Sequence, residues 1–334
     1  MPGVRVVAVG PRMTLYAEGR RRILPPVIFG LGVLWHLLRR GRYDVVHTAS
    51  FPYFSLLAAA AARPLRRFRL VVDWHEVWTR AYWREYLGEA AGRVGWAIQL
   101  VCVRVPQQAF CFSRLHSGRL RELGLAGEVA LLEGQYAGSL DRPEPEPAES
   151  FVVFAGRHIP EKRVTALVPA IKLAREDAPE LRCQILGDGP ERPRLLRLLE
   201  TERLEGVVDA PGFVRGERVE RALRQALCLV LPSRREGYGL VVVEAAARGT
   251  PTVVVRDPDN AAAELVEDGQ NGLVARSAAP RDLADSILAV RAAGAALRES
   301  TADWFERNAA RLSLARSLEV VMSAYSAPRG AAER

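Results

Sequence analysis

The chain has 334 residues, of which 49% are hydrophobic and 26% charged, with a formal net charge of +8. That length exceeds the roughly 250 to 300 residues at which a single core stops growing, so two domains are expected, and the composition excludes a disordered chain. The longest apolar runs, 27–38 and 51–62, fall short of the roughly 20 residues of a membrane span, and the first contains His36.

The beginning of the chain lacks the charged, apolar and small-residue succession of a secretory signal. Cys102, Cys111, Cys183 and Cys228 are scattered, with no paired spacing, and read as reduced, buried thiols. A cytoplasmic location is therefore expected. Residues 1–140 carry a net charge of +10 and the remainder −2. Arg stands almost everywhere for Lys, which occurs only at 162 and 172, but that preference does not account for the asymmetry. An anionic partner of the first half is expected: a lipid surface, a nucleic acid or an acidic acceptor.

In chain order, short β-rich runs at 4–10, 44–49, 68–74, 109–113 and 128–132 alternate with helical stretches such as 27–40 and 115–123. Residues 139–150, SLDRPEPEPAES, are almost free of apolar side chains and predict an interdomain linker. Beyond them, runs at 151–155, 181–186, 207–210, 228–231 and 252–255 are each followed by a helical pattern. Alternating β and α with continuous apolar strands predicts parallel sheets covered on both faces. The fold class is α/β, with two Rossmann-like doubly wound domains facing across a cleft. The expected boundaries are 1–138, a linker at 139–150, 151–310, and a C-terminal helix and tail at 311–334 that packs back towards the first domain. Ligands in such sheets sit beyond the carboxyl ends of the strands, so the loops after strands are the candidates.

The run 68–74 leads into His75, followed by Trp78, Tyr82, Trp83 and Tyr86, which are either an acceptor-facing wall or core packing, with packing the expectation for any one ring. After 151–155, the segment Gly156-Arg157-His158-Ile159-Pro160-Glu161-Lys162 places two cations at the start of a helix, where a diphosphate fits as well as a solvated basic loop does. Gly187-Asp188-Gly189-Pro190 reads as a turn that permits close ligand approach, and the backbone around Val214 could meet a base edge. The strongest segment is Ser233-Arg234-Arg235-Glu236-Gly237-Tyr238-Gly239-Leu240 with Glu244 downstream. Its carboxylates suit sugar hydroxyls and its glycines free N–H groups for phosphate.

Glu236-x7-Glu244 after Pro232-Ser233, with Gly156-Arg157-x4-Lys162 and Gly187-Asp188-Gly189-Pro190 upstream, resembles the family 4 retaining glycosyltransferases of the GT-B fold, glycosyl transferases group 1. The resemblance covers residues 40–325. It implies an acceptor-side first domain and a second domain that binds a nucleoside-diphosphate sugar. By similarity, Arg157 and Lys162 bind the diphosphate and Glu236 the sugar hydroxyls. Glu244 binds the ribose and the backbone near Val214 the nucleobase. Gly156, Gly187, Gly237, Tyr238, Gly239 and Leu240 line the donor site, and His75 is the family's cleft histidine. The implied partners are the nucleotide sugar as donor substrate and a glycan or lipid-linked acceptor, and the charge asymmetry adds an anionic membrane surface met by the basic first domain, peripheral at its inner face. No cofactor, metal or nucleic acid is expected.

Asp257-Pro258-Asp259 spells the motif of metal-dependent transferases but falls in the family's loop before Glu264, and a turn is expected there. Two carboxylates also invite a glycosidase reading, which gives no role to the cations at 157 and 162. The family's opening strand, glycine-rich loop and helix find no counterpart: 4–10 runs into an Arg-rich stretch and better matches the family's second strand. A catalytically silent nucleotide-sugar-binding protein is the alternative that this departure raises.

Overall fold

The structure is a computed structural model that describes residues 3–14, 16–17, 20–40 and 42–326, with the side chains of 15–21 outside the description. It divides into two compact units, one of Met1–Leu132 with Leu318–Arg334, the other of Glu133–Ser317.

The first unit holds four parallel strands: β1 (Val45–Ala49), β2 (Arg69–Trp74), β3 (Gln107–Cys111) and β4 (Gly127–Leu131), in that spatial order. Helices α1 (Leu24–Arg40), α2 (Phe54–Arg66), α3 (Arg80–Leu87), α4 (Glu89–Val103) and α5 (Arg114–Glu122) surround them. Leu70, Val72 and Trp74 on β2 join Leu56, Ala59, Phe68, Ala109 and Leu120 in one buried core. Thr79 and Ser113 start α3 and α5 by accepting the amide protons of Tyr82 and His116, which satisfies an otherwise orphaned first-turn donor.

The buried Gln99 fixes the aromatic cluster. Its Oε1 accepts from the Tyr53 hydroxyl at 2.9 Å and from the Trp83 indole at 3.0 Å, while its amide donates to the Trp78 carbonyl at 2.8 Å. Trp83 and Tyr82 are buried, Trp78 is half-buried, and only Tyr86 stands well out. Tyr82 and Trp83 thus pack in the core, and Trp78 partly so.

Residues 4–10 do not form the strand that their composition predicts. They are extended but unpaired, and Val6 is 92% exposed. Strand propensity yields a ladder only when a neighbouring strand supplies partners. Here the Val9 carbonyl lies against α1 instead, where a Cβ at Gly32 would come within 1.8 Å of it.

The second unit carries six parallel strands: β5 (Phe151–Ala155), β6 (Arg182–Leu186), β7 (Val208–Gly212), β8 (Cys228–Leu231), β9 (Thr252–Val255) and β10 (Gly272–Ala275). Their order across the sheet is β10-β9-β8-β5-β6-β7. Helices α6 (Leu167–Asp177), α7 (Arg192–Glu202), α8 (Gly216–Gln225), α9 (Leu240–Ala246) and α10 (Pro280–Leu312) follow, α10 breaking at Gly294, before α11 (Leu314–Ser326). All four residues of β8 are buried, as a sheet covered on both faces requires. At about 1.5–3 kcal/mol for each large apolar side chain withdrawn from water, these central strands dominate the unit's stability.

The Pro-Glu segment at 139–150 is bound along the second unit. Arg142 pairs with Glu299 at 2.7 Å and Asp303 at 2.8 Å, the Glu149 amide donates to the Gln225 carbonyl at 2.8 Å, and Pro145 packs where a Cβ on Gly249 would fall. Among the described residues no helix is long and apolar enough to cross a membrane.

Candidate functional site

In the second unit the chain runs outward from β5 through β6 to β7, then returns to the other side of β5 with β8. Strand order therefore reverses between β5 and β8, whose carboxyl ends lie side by side. A crevice at such a reversal is where doubly wound sheets bind ligands. The loops after these two strands are those singled out by their residues.

After β5, Gly156 and Arg157 lead to two short 3-10 turns, Pro160–Lys162 and Val164–Ala166, before α6 begins at Leu167. The expected helix thus starts later than the cations, and the backbone that presents Lys162 is a tight turn, with Arg163 in the left-handed region at φ 47°. After β8, Ser233 and Glu236 are buried, and Arg235–Glu236 pairs in parallel with Asp259–Asn260.

Two contacts join these loops, and a third ties the loop after β5 to the loop after β9. The Arg234 amide donates to the Glu161 carbonyl at 2.8 Å, the Lys162 ammonium contacts Glu236 Oε1, and Arg163 pairs with Asp257 at 3.3 Å. Ser233 Oγ donates to the same Glu236 oxygen at 2.8 Å. A carboxylate held by an ammonium and a hydroxyl on one oxygen keeps its second oxygen for a ligand hydroxyl. Ser233 had a signal in its spacing, Ser-x-x-Glu, which puts a hydroxyl within reach of the carboxylate three residues on.

The glycines fit this construction. Gly187 has φ 128°, and a Cβ there would lie 1.9 Å from the Gly156 carbonyl oxygen, so the loops after β5 and β6 touch backbone to backbone. Gly239 precedes α9 at φ 104°, and a Cβ would meet that of Ala262 at 2.6 Å. Leu240 opens α9 and is 40% exposed, whereas Gly237 and Val214 are part-buried. Tyr238 turns its hydroxyl to the Glu133 carbonyl, and burial raises its pKa.

Glu244 sits on α9 beside Arg248, whose guanidinium donates to the Glu244 carbonyl at 2.7 Å and to Glu220 at 2.7 Å. Burial pushes the Glu244 carboxyl up, Glu220 adds to the rise, and Arg248 opposes it. Glu236 and Glu244 thus occupy different surroundings, the first paired with Lys162 and the second in a part-buried cluster with Arg248.

Arg157 is exposed, with no ion-pair partner among the described residues. His75, in the first unit, is exposed just beyond β2 and stacks on Phe112 with ring centroids 4.6 Å apart and planes at 5°. Asp257-Pro258-Asp259 is a turn closed by the Asn260 amide on the Asp257 carbonyl at 3.0 Å, and the Asp257 carboxylate is committed to Arg163.

His158 was overlooked as a structural feature. It is fully buried between the cations, and neither ring nitrogen has a hydrogen-bond partner among the described residues. Burial lowers its pKa, the Arg192 charge lowers it further, and Asp188 acts the other way.

A reversal of strand order with a cation and a carboxylate paired beside it is the usual ligand-binding place of a doubly wound, Rossmann-like domain. The chain belongs to the GT-B glycosyltransferases of the family 4 type: residues 3–131 match the family model Glycosyltransferase Family 4, and residues 140–304 match Glycosyl transferases group 1. The first match includes the opening 40 residues, which the motifs alone left outside the resemblance. An uncharacterized glycosyltransferase of Methanocaldococcus jannaschii is 32% identical over 165 residues, which are 49% of this chain and 41% of that protein. The alpha-D-kanosaminyltransferase of Streptomyces kanamyceticus is 29% identical over 189 residues, 57% of this chain and 45% of that one. The chain spans less than half the length of these curated relatives. Among solved structures, Anabaena HepE in complex with UDP and glucose superposes with a TM-score of 0.72 at 18% identity, covering 90% of this chain and 81% of that one.

Proposed function

We propose that this protein transfers a sugar from a nucleoside-diphosphate sugar to a hydroxyl of a glycan, lipid or small-molecule acceptor, with retention of configuration. The observation that carries the reading is the contact between Lys162 and Glu236 at the strand-order reversal, a cation and a carboxylate on adjacent loops. The family match and the UDP and glucose bound by HepE support the same donor class.

In this reaction the bond from the anomeric carbon to the diphosphate oxygen breaks, with its electron pair leaving on the diphosphate. The acceptor oxygen bonds to the same face of that carbon, and its proton passes to a diphosphate oxygen. Lys162 and Arg157 stabilise the charge that grows on the leaving group. Two cations on one loop meet the diphosphate charge directly, so a metal ion is not called upon. Glu236, oriented by Ser233, accepts donor-sugar hydroxyls and Glu244 the ribose hydroxyls, and by the family likeness His75 helps shape the transition state.

A thermal-shift panel of UDP-, GDP- and dTDP-sugars tests donor binding: a sugar at about 100 times its Kd stabilises by about 2.7 kcal/mol, several degrees in melting temperature. Transfer of labelled sugar, with the anomeric configuration of the product read by NMR, tests the reaction. A chain unmoved by every nucleotide sugar overturns the proposal, and binding without transfer to any acceptor establishes the silent alternative.

A further inference from the structure

Helix α1 is apolar on more sides than the fold covers. Pro26, Gly30 and Leu37 face inward and are buried. On the opposite side, Leu24, Leu31 and Trp35 recur at helical spacing and stand 52%, 61% and 58% exposed. A helix that is apolar all round is ordinarily enclosed, by protein or by lipid. The row is not isolated. Beside it lies an apolar trough of about 340 Å³, lined by Val7, Val9, Met13, Pro26, Ile28 and Phe29 among others.

This stretch of the chain is predominantly basic. Residues 1–43 contain eight arginines against a single acidic residue, Glu18, and so hold +7 of the chain's net +8. Arg39 and Arg40 end α1, Arg22 precedes it, and Arg42 follows. The Arg39 guanidinium lies 3.7 Å from the centre of the Trp35 ring, so the cation and the amphipathic ring form one unit at the edge of the apolar row. A bilayer with anionic headgroups offers both chemistries at once: hydrocarbon for Leu24, Leu31 and the trough, the interfacial layer for Trp35, and lipid phosphates for the arginines.

We infer that the outward face of α1, with the trough formed by residues 7–13, docks the protein on an anionic lipid bilayer. The face lies wholly within the first unit and uses none of the donor-site residues, so its failure would leave the proposed transfer chemistry untouched.

The test is flotation of the full chain with vesicles of phosphatidylcholine alone and of equal parts phosphatidylcholine and phosphatidylglycerol. The protein is expected to float with the anionic vesicles in dilute buffer and to be released at an ionic strength of about 0.5 M, where the screening length falls to a few ångströms. Leu31→Glu with Trp35→Glu, both on exposed positions, should lower the partition coefficient at least tenfold with an unchanged melting temperature. Arg39→Gln and Arg40→Gln should each lower it about fivefold and only on anionic vesicles. A blue shift in tryptophan emission on vesicle binding should vanish in Trp35→Phe. Failure of the unmodified chain to bind anionic vesicles in dilute buffer overturns the inference. So does equal binding by the Leu31→Glu, Trp35→Glu variant, or that variant converting a dimer to a monomer, which would mean that a second copy covers the face.

Discussion

Lys162 and Glu236, 74 positions apart in sequence, are held side to side at the reversal of strand order in the second unit, and both are largely withdrawn from solvent. Such a pair couples two quantities that are normally separate. Removing either partner leaves the other charge in a poorly solvated place, which lowers stability, and takes from the site a group proposed to act on the donor.

The two effects separate in a double-mutant cycle. Lys162→Ala should lose about 2–4 kcal/mol of transition-state stabilisation, roughly 30- to 1000-fold in kcat/KM. It should also lower stability by about 2 kcal/mol, less than for a fully buried pair because Ser233 still holds the carboxylate. In Lys162→Ala with Glu236→Gln the lost stability should return while turnover stays low. Thermal melting and single-turnover kinetics with labelled donor check both, and normal turnover in Lys162→Ala would remove the residue from the reaction.

Gly187→Ala tests whether the loop after β6 is as tightly built as its contacts indicate. The left-handed φ and the 1.9 Å approach to the Gly156 carbonyl leave no room for a methyl group, and the atom it meets is backbone. A destabilisation of about 3 kcal/mol or more is expected in denaturant melts. Gly206→Ala, where an added Cβ meets nothing within 4 Å, should change stability little.

The strands of both sheets except β10 (Gly272–Ala275) were legible because continuous apolar runs such as Cys228–Leu231 admit little else once alternated with helical patterns, whereas β10 is a short, glycine-led edge strand outside any such run. The spacing Glu236-x7-Glu244 and the cations at 157 and 162 were legible as chemistry. Their partners were not. That Lys162 meets Glu236 depends on β5 and β8 lying side by side, a pairing across 74 residues that no local pattern encodes. The run 4–10 misled for the converse reason: β-branched residues signal a strand, but only a neighbour makes one. The acidic, proline-rich 139–150 reads as a free tether, yet Arg142 and Glu149 find partners that sequence separation hides.

Glu244 should show a conflict between stability and binding. Its carboxyl titrates above the usual range because burial disfavours the charge. A carboxyl whose folded pKa is raised contributes stability that is full below the unfolded value and lost as pH rises through the folded one. At neutral pH the charge is therefore a burden on the ligand-free protein. Glu244→Gln should raise the melting temperature without ligand and weaken nucleotide-sugar binding about tenfold, on the scale of a hydrogen bond to a charged acceptor. Calorimetric titration with the best donor of the panel reads the second effect, and unchanged affinity would take the ribose role from this residue.

His158 gives the opposite pH signature. Its ring is fully buried without a partner for either nitrogen among the described residues, and burial with the nearby Arg192 charge depresses its pKa. The unfolded chain binds a proton near pH 6.5, while the folded chain resists it to a lower pH. Stability is then present above about pH 6.5 and falls as pH drops through the folded value. His158→Leu removes the titration and the unmatched polar atoms while keeping an apolar side chain against Phe154. It should stabilise by about 1–3 kcal/mol at neutral pH and flatten the decline between about pH 6.5 and 5. Urea melts of both proteins across that range decide it: an undiminished acid decline in His158→Leu would assign the pH dependence to carboxylates elsewhere. Because the His158 amide donates to the Asp188 carbonyl at 2.8 Å and so ties the cation loop to the loop after β6, the same melts with bound donor would report whether the cation loop tightens on the diphosphate.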